Sequence, residues 1–165
     1  MSETYRVTPS SRPAPEPAYA AAMALALDLA SSAGRAGDIP GGAVVLDAGG
    51  SVIGRGGNDR EVAGDVVGHA EVVAMRVAAE HTGSWRLSGA TLVVTLEPCP
   101  MCCWAAQQAR IDRVVFAAWD DKAGACGSVW DLARDSRALH RMEVIGGVRA
   151  KESAALLSEF FRDRR

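Results

Sequence analysis

The stretch Ala90–Ala118, ATLVVTLEPCPMCCWAAQQARIDRVVFAA, decides the fold. Ala90–Leu96 is rich in β-branched residues and reads as a strand. Pro98 stops it, and Pro100 suits the first turn of a helix, where its missing N–H has no partner to lose. The helix is predicted to reach about Arg110, and Arg113–Ala118, with Val-Val-Phe at its centre, is the next strand. A strand, a short helix and a second strand form a right-handed βαβ crossover with the strands parallel.

Upstream, Ala43–Asp47 and Ser51–Gly54 are short apolar runs on either side of Asp47-Ala48-Gly49-Gly50, a hairpin signal in which glycine supplies positive φ. A helix is predicted from Ala18, with Gly34 as its C-cap and enough alanine and leucine to pack on more than one face. Gly56–Gly68 reads as a polar loop, and His69–His81 as a helix burying Val72, Val73, Met75 and Ala79 on one side. Downstream come a loop over Trp119–Gly127, a short helix near Val129–Arg134 and a strand at Glu143–Ile145. A last helix, Lys151–Arg162, is expected to turn Leu156, Leu157, Phe160 and Phe161 inward. The alternation predicts an α/β fold, a three-layer α/β/α sandwich around a mixed five-stranded sheet that begins with a hairpin.

Residues 1–17, with four prolines and little to bury, read as a flexible tail, and 18–165 as a single domain. A net charge of −2 excludes a protein that grips nucleic acid by bulk positive charge, but leaves room for a local basic face. The apolar run Ala18–Ala30 is interrupted by Asp28 and is too short for a membrane span. The charged start runs straight into prolines, without the apolar segment of a secretory signal. A soluble cytoplasmic protein is expected, and there a Cys-x-x-Cys is more often metal-binding or redox-active than a structural disulfide.

The chemistry lies in Gly68-His69-Ala70-Glu71 at one predicted helix start and Pro98-Cys99-Pro100-Met101-Cys102 at another. Two cysteines three apart at a helix start can aim both sulfurs at one centre, and the helix dipole there favours thiolate. Two thiolates and a neutral imidazole suit tetrahedral Zn²⁺, and three protein ligands leave the fourth position open, as a catalytic site requires. Glu71, two residues beyond His69, is the candidate catalytic residue, able to move protons at that open position without ligating the metal. Cys103 is a rival fourth ligand that would close the site. Adjacent side chains on a helix diverge by about 100°, however, so Cys102 and Cys103 cannot easily share one metal. Cys103 and Cys126 fit small buried apolar positions better.

His-x-Glu followed by Pro-Cys-x-x-Cys is the signature of the zinc deaminases. Beyond it, the sequence resembles the bacterial tRNA-specific adenosine deaminases of the cytidine deaminase-like superfamily, from about Ala18 to Arg165. The resemblance is carried by Ile39–Val44, Gly68–Val72, Thr91–Cys99, Arg110–Phe116, Lys122–Ser128 and Glu152–Phe161. It implies hydrolysis of the wobble adenosine of a tRNA anticodon to inosine by a homodimer holding one zinc per subunit. Matched by position, His69, Cys99 and Cys102 would hold the zinc and Glu71 would shuttle protons. Asn58 and the Ala70 backbone would contact the flipped base, and Asp120 would sit beside the ribose, where a carboxylate can accept from a 2′-hydroxyl.

The zinc motif alone fits a deaminase of free guanine, cytosine or cytidine equally well. A catalytically silent zinc protein that binds RNA is a third reading, and retention of Glu71 weighs against it. Asp65-Val66-Val67-Gly68 stands where Asp-Pro-Thr-Ala is usual, and Cys103-Trp104 where Ala-Gly is usual. Arg137, Arg141, Arg149, Lys151, Arg162, Arg164 and Arg165 make the end of the chain basic, either a face for tRNA phosphates or a solvated helix end.

Overall fold

A computed structural model describes residues 16–164. All but the last two residues of the expected tail lie outside them, and the helix expected from Ala18 already begins at Glu16. The elements are α1 (Glu16–Arg35), β1 (Gly42–Leu46), β2 (Val52–Gly57), α2 (Arg60–Ala63), α3 (Ala70–Thr82), β3 (Thr91–Leu96), α4 (Pro100–Gln108), β4 (Arg113–Ala118), a single 3₁₀ turn at Leu132–Arg134, β5 (Glu143–Gly146) and α5 (Ala150–Arg162). The sheet order is β2-β1-β3-β4-β5. β1 is antiparallel to β2 and β3, whereas β3, β4 and β5 run parallel, so the sheet is mixed as predicted.

Every residue of β1 is buried, as are nearly all of β3 and β4, because helices cover both faces. Alternate side chains divide between two cores with the period of two that a strand imposes. Val45, Leu92, Val94, Val114 and Phe116 pack with Ala74 and Met75 of α3 and Ala106 of α4. Val44, Leu46, Val93, Val115 and Ala117 pack with Met23, Ala26 and Leu27 of α1 and with Leu156 of α5. The result is the three-layer α/β/α sandwich. Among the described residues, no helix is long and apolar enough to cross a membrane.

Four details depart from the sequence reading, the first being that α1 continues through Gly34, the expected C-cap, to Arg35. The polar loop expected from Gly56 is shorter, because β2 continues to Gly57 and the one-turn α2 follows. On α3 the fully buried positions are Ala70, Glu71, Ala74, Met75 and Ala78, with Val72, Val73 and Ala79 only half-buried. On α5, Leu156 packs on the sheet, but Phe161 is 50% exposed and Phe160 stacks edge-on against it under the Arg164 guanidinium. The end of α5 lies beside α1, with Phe160 Cδ2 3.9 Å from where a Cβ on Gly34 would sit.

The glycines of β2 bring α3 onto the sheet. A Cβ on Gly54 would lie 2.3 Å from the Ala74 carbonyl oxygen, and one on Gly56 2.5 Å from that of Ala70. The helix backbone therefore rests directly on the strand backbone, which fixes the height of the first turn of α3. A second close approach precedes that turn. A Cβ on Gly68 would come 2.3 Å from Asp59 Oδ1, a buried oxygen without a partner among the described residues. A side chain at position 68 would therefore require the Asp59 carboxylate to move aside.

Gly56→Ala is expected to cost about 1–3 kcal/mol of stability by overpacking, read as a lower urea midpoint. Gly68→Ala should lose less, because the crowding atom is a side-chain oxygen that can move. Asp59→Ala should restore the loss by vacating the space and removing the unpaired oxygen. An unchanged midpoint for Gly68→Ala, or no recovery in the double variant, would contradict this packing.

Candidate active site

Gly57 at the end of β2, Gly42 at the start of β1, Leu96 at the end of β3 and Ala118 at the end of β4 lie along one rim of the sheet. The segments leaving that rim carry the chemistry. β3 passes through Glu97 and Pro98 to Cys99, which is extended (φ −70°, ψ 171°) and serves as N-cap of α4, with Pro100 in the first turn. His69 is the N-cap of α3 with a similar backbone (φ −74°, ψ 146°). Neither side chain caps its own helix. Both are free to turn towards each other, and the unpaired N–H groups of two helix starts face the same region.

His69 Nδ1 lies 3.6 Å from Cys99 Sγ and 3.4 Å from Cys102 Sγ. The three donor atoms all fall within 4.8 Å of one another, the one such cluster among the described residues. Zinc–sulfur and zinc–nitrogen bonds of about 2.3 and 2.0 Å at the tetrahedral angle put N and S about 3.5 Å apart. The observed separations fit that edge, and the cluster is positioned to coordinate a single zinc ion. Cys103 is not part of it. Its thiol is buried, 3.8 Å from Cys126 Sγ on the other side of α4, so both cysteines act as core residues.

The electrostatics of the metal-free cluster show competing demands. The Cys102 thiol donates to Cys99 and, with help from His69 and a backbone N–H, pulls the Cys99 thiol down to about 4 against the cost of burial. Its commitment to Cys99, together with burial and the Glu71 charge, pushes Cys102 up. Hydrogen bonding to Cys99 raises His69. Protons thus hold the donor set together, and a divalent cation replaces them, leaving two thiolates and a neutral imidazole. Glu71, in the first turn of α3 and 7% exposed, is pushed up to about 7, chiefly by burial. A carboxyl titrating near neutrality both accepts and gives protons there.

The remaining expected residues lie on the segments around the cluster. The Asn58 N–H donates to the Gly41 carbonyl at 2.9 Å, and a Cβ on Gly41 would sit 3.5 Å from Asn58 Cβ and 3.9 Å from Ala70 Cβ. Asn58 and Ala70 therefore flank one glycine beside the start of α3. Asp120 is outside the ligand cluster. Its Oδ1 accepts from the N–H groups of Lys122 and Ala123 at 3.0 and 3.3 Å, fixing the turn that follows β4.

Two buried carboxylates were missed in the sequence. Asp38, just before the Ile39-Pro40 step into β1, accepts from the Asn58 amide at 2.6 Å. Glu97, between the last residue of β3 and Pro98, accepts from the N–H groups of Asp120, Cys126 and Ser128 at 3.0, 2.9 and 3.1 Å. Glu97 thereby ties the Asp120 loop to the segment entering α4. The available signal was an acid placed at the end of an apolar strand, on the rim where the ligands also lie. Of the basic end, Arg149 pairs with Glu152 and Arg137 with Asp135, while Arg165 lies outside the described residues.

Residues 17–118 match the family of the cytidine and deoxycytidylate deaminase zinc-binding region. The chain is 51% identical over 145 residues to a tRNA(Ile)-lysidine synthase of Deinococcus radiodurans, covering 88% of this chain and 25% of that protein. It thus spans about a quarter of the length of the two Deinococcus relatives it matches. It is 42% identical over 143 residues to a tRNA-specific adenosine deaminase of Bacillus subtilis, covering 87% of this chain and 88% of that one. A solved structure from work on A-to-I editing by tRNA:A34 deaminases at the wobble position superposes with a TM-score of 0.81 at 42% identity, covering 84% of this chain and 99% of that one. Site, fold and sequence agree: the chain belongs to the zinc deaminase superfamily, in the family of the bacterial tRNA-specific adenosine deaminases.

Proposed function

We propose that the protein converts adenosine at the wobble position of a tRNA anticodon to inosine, releasing ammonia, and that it works as a cytoplasmic homodimer. The observation that carries this reading is a buried carboxyl, Glu71, beside an open His/Cys/Cys cluster in a chain similar along most of its length to tRNA-specific adenosine deaminases. Zinc held by His69, Cys99 and Cys102 supplies the Lewis acidity that makes water a nucleophile at neutral pH.

Glu71 takes a proton from the water whose oxygen bonds to the carbon and delivers it to the adjacent ring nitrogen. It then moves the remaining hydroxyl proton to the amine as the C–N bond breaks and the carbonyl forms. Water is consumed and ammonia leaves, so the carboxylate is regenerated. The Asn58 amide hydrogen-bonds the flipped base, and the Ala70 backbone touches it. Asp120 has its Oδ1 committed to its own turn, which leaves the other oxygen for the ribose 2′-hydroxyl. That contact favours RNA over DNA.

Zinc-loaded protein incubated with an anticodon stem-loop carrying a wobble adenosine is expected to give inosine at that position alone, with free guanine and cytidine untouched. Turnover of the free bases without the stem-loop would contradict the assignment. Glu71→Ala should keep one zinc per chain and lose about a hundred- to ten-thousandfold in rate. Substantial residual activity would refute the proton shuttle.

A further inference from the structure

Asp38 is 1% exposed, yet both of its oxygens are bonded. Oδ1 accepts from the Ile39 N–H at 2.9 Å and from the Asn58 amide at 2.6 Å. Oδ2 accepts from the N–H groups of Glu61 and Val62 at 2.8 and 3.2 Å, in the first turn of α2. Burial alone would raise this carboxyl, but the four bonds outweigh it and hold Asp38 below the ordinary aspartate value. It is ionised at neutral pH, and an ionised carboxylate only accepts.

This settles which end of the Asn58 amide faces it. The atom 2.6 Å away must be the nitrogen, so the carbonyl oxygen is turned elsewhere. The amide keeps a carbonyl acceptor and one N–H in a fixed order. An amide in that state matches adenine, which presents the N7 acceptor beside the N6 donor, and mismatches guanine, which presents two acceptors, N7 and O6. An uncharged amide at position 38 would offer its own donors as well, and Asn58 could then reverse.

We infer that Asp38 is a positioning residue that fixes the orientation of the Asn58 amide and, through it, the preference of the site for an adenine edge over a guanine edge. The inference rests on the proposed function, in which Asn58 contacts the base. The same carboxylate ties that amide to α2, on the segment leading to His69, so base reading and the metal ligand share one anchor.

The test is a double-mutant cycle on the zinc-loaded protein with Asp38→Asn, Asn58→Ala and the pair. The substrate is the wobble-adenosine stem-loop, and a wobble-guanosine stem-loop is the competitor. Asp38→Asn is expected to raise KM about tenfold, the scale of one hydrogen bond to a charged group, with a smaller change in kcat. It should also narrow the affinity ratio between the two stem-loops. The double variant should be no worse than Asn58→Ala alone, with zinc content unchanged in all three.

Costs that multiply in the double variant, or an unchanged affinity ratio, would overturn the inference and leave Asp38 a structural cap. Should Asp38→Asn prove unstable, Asp38→Glu keeps the charge, lengthens the arm and runs the same cycle with the same expected non-additivity. If the wild-type protein makes no inosine from the stem-loop, the functional reading fails, and this inference falls with it.

Discussion

Two helix N-termini meet at one rim of the sheet, and the site depends on that meeting. His69 and Cys99 occupy the N-cap positions of α3 and α4, where a polar side chain usually satisfies its own helix. Here both side chains are given up to each other and to Cys102. The exposed N–H groups and the positive ends of two helix dipoles lower the cost of gathering thiolates beside a carboxylate. The sheet makes the meeting possible. β3 delivers Cys99 directly, and the glycines of β2 let α3 lie low enough for His69 and Glu71 to face it.

Two buried carboxylates then secure the flanks of this centre. Glu97 gathers three backbone N–H groups of the loop carrying Asp120, and Asp38 gathers three more together with the Asn58 amide. A buried charge is costly unless fully bonded, so each carboxylate dictates the path of the loop that satisfies it. The segments expected to touch a substrate are therefore held from beneath by charge-assisted bonds, whereas the ligand cluster itself is held by helix ends and packing.

Most of the fold was legible because its signals are local. The strands at Thr91–Leu96 and Arg113–Ala118 announce themselves by β-branched runs, and Pro98 and Pro100 mark the junction between them. The zinc ligands were legible for the same reason, since their spacing at helix starts is itself the chemistry. The sequence ends β2 too early, at Gly54, because Gly56 and Gly57 look like the start of a loop. Gly54 and Gly56 make room for the backbone of α3, whereas Gly57 faces Leu29 and Ala33 of α1, and both contacts are tertiary facts with no local trace. Asp38 and Glu97 are invisible as anchors because, the adjacent Ile39 N–H aside, their partners lie 20 to 31 residues away. Phe161 departs from its expected place because an amphipathic pattern tells which face of a helix is apolar, but not how fully each turn of that face is covered.

The chemistry requires an open, three-ligand metal centre from which Cys103 is excluded. X-ray absorption at the zinc edge of the loaded protein tests that directly. Two sulfurs at about 2.3 Å and two nitrogen or oxygen neighbours at about 2.0–2.1 Å are predicted, with one zinc per chain. A shell of three or more sulfurs would mean a closed structural site, and would contradict both the geometry described here and the chemistry built on it.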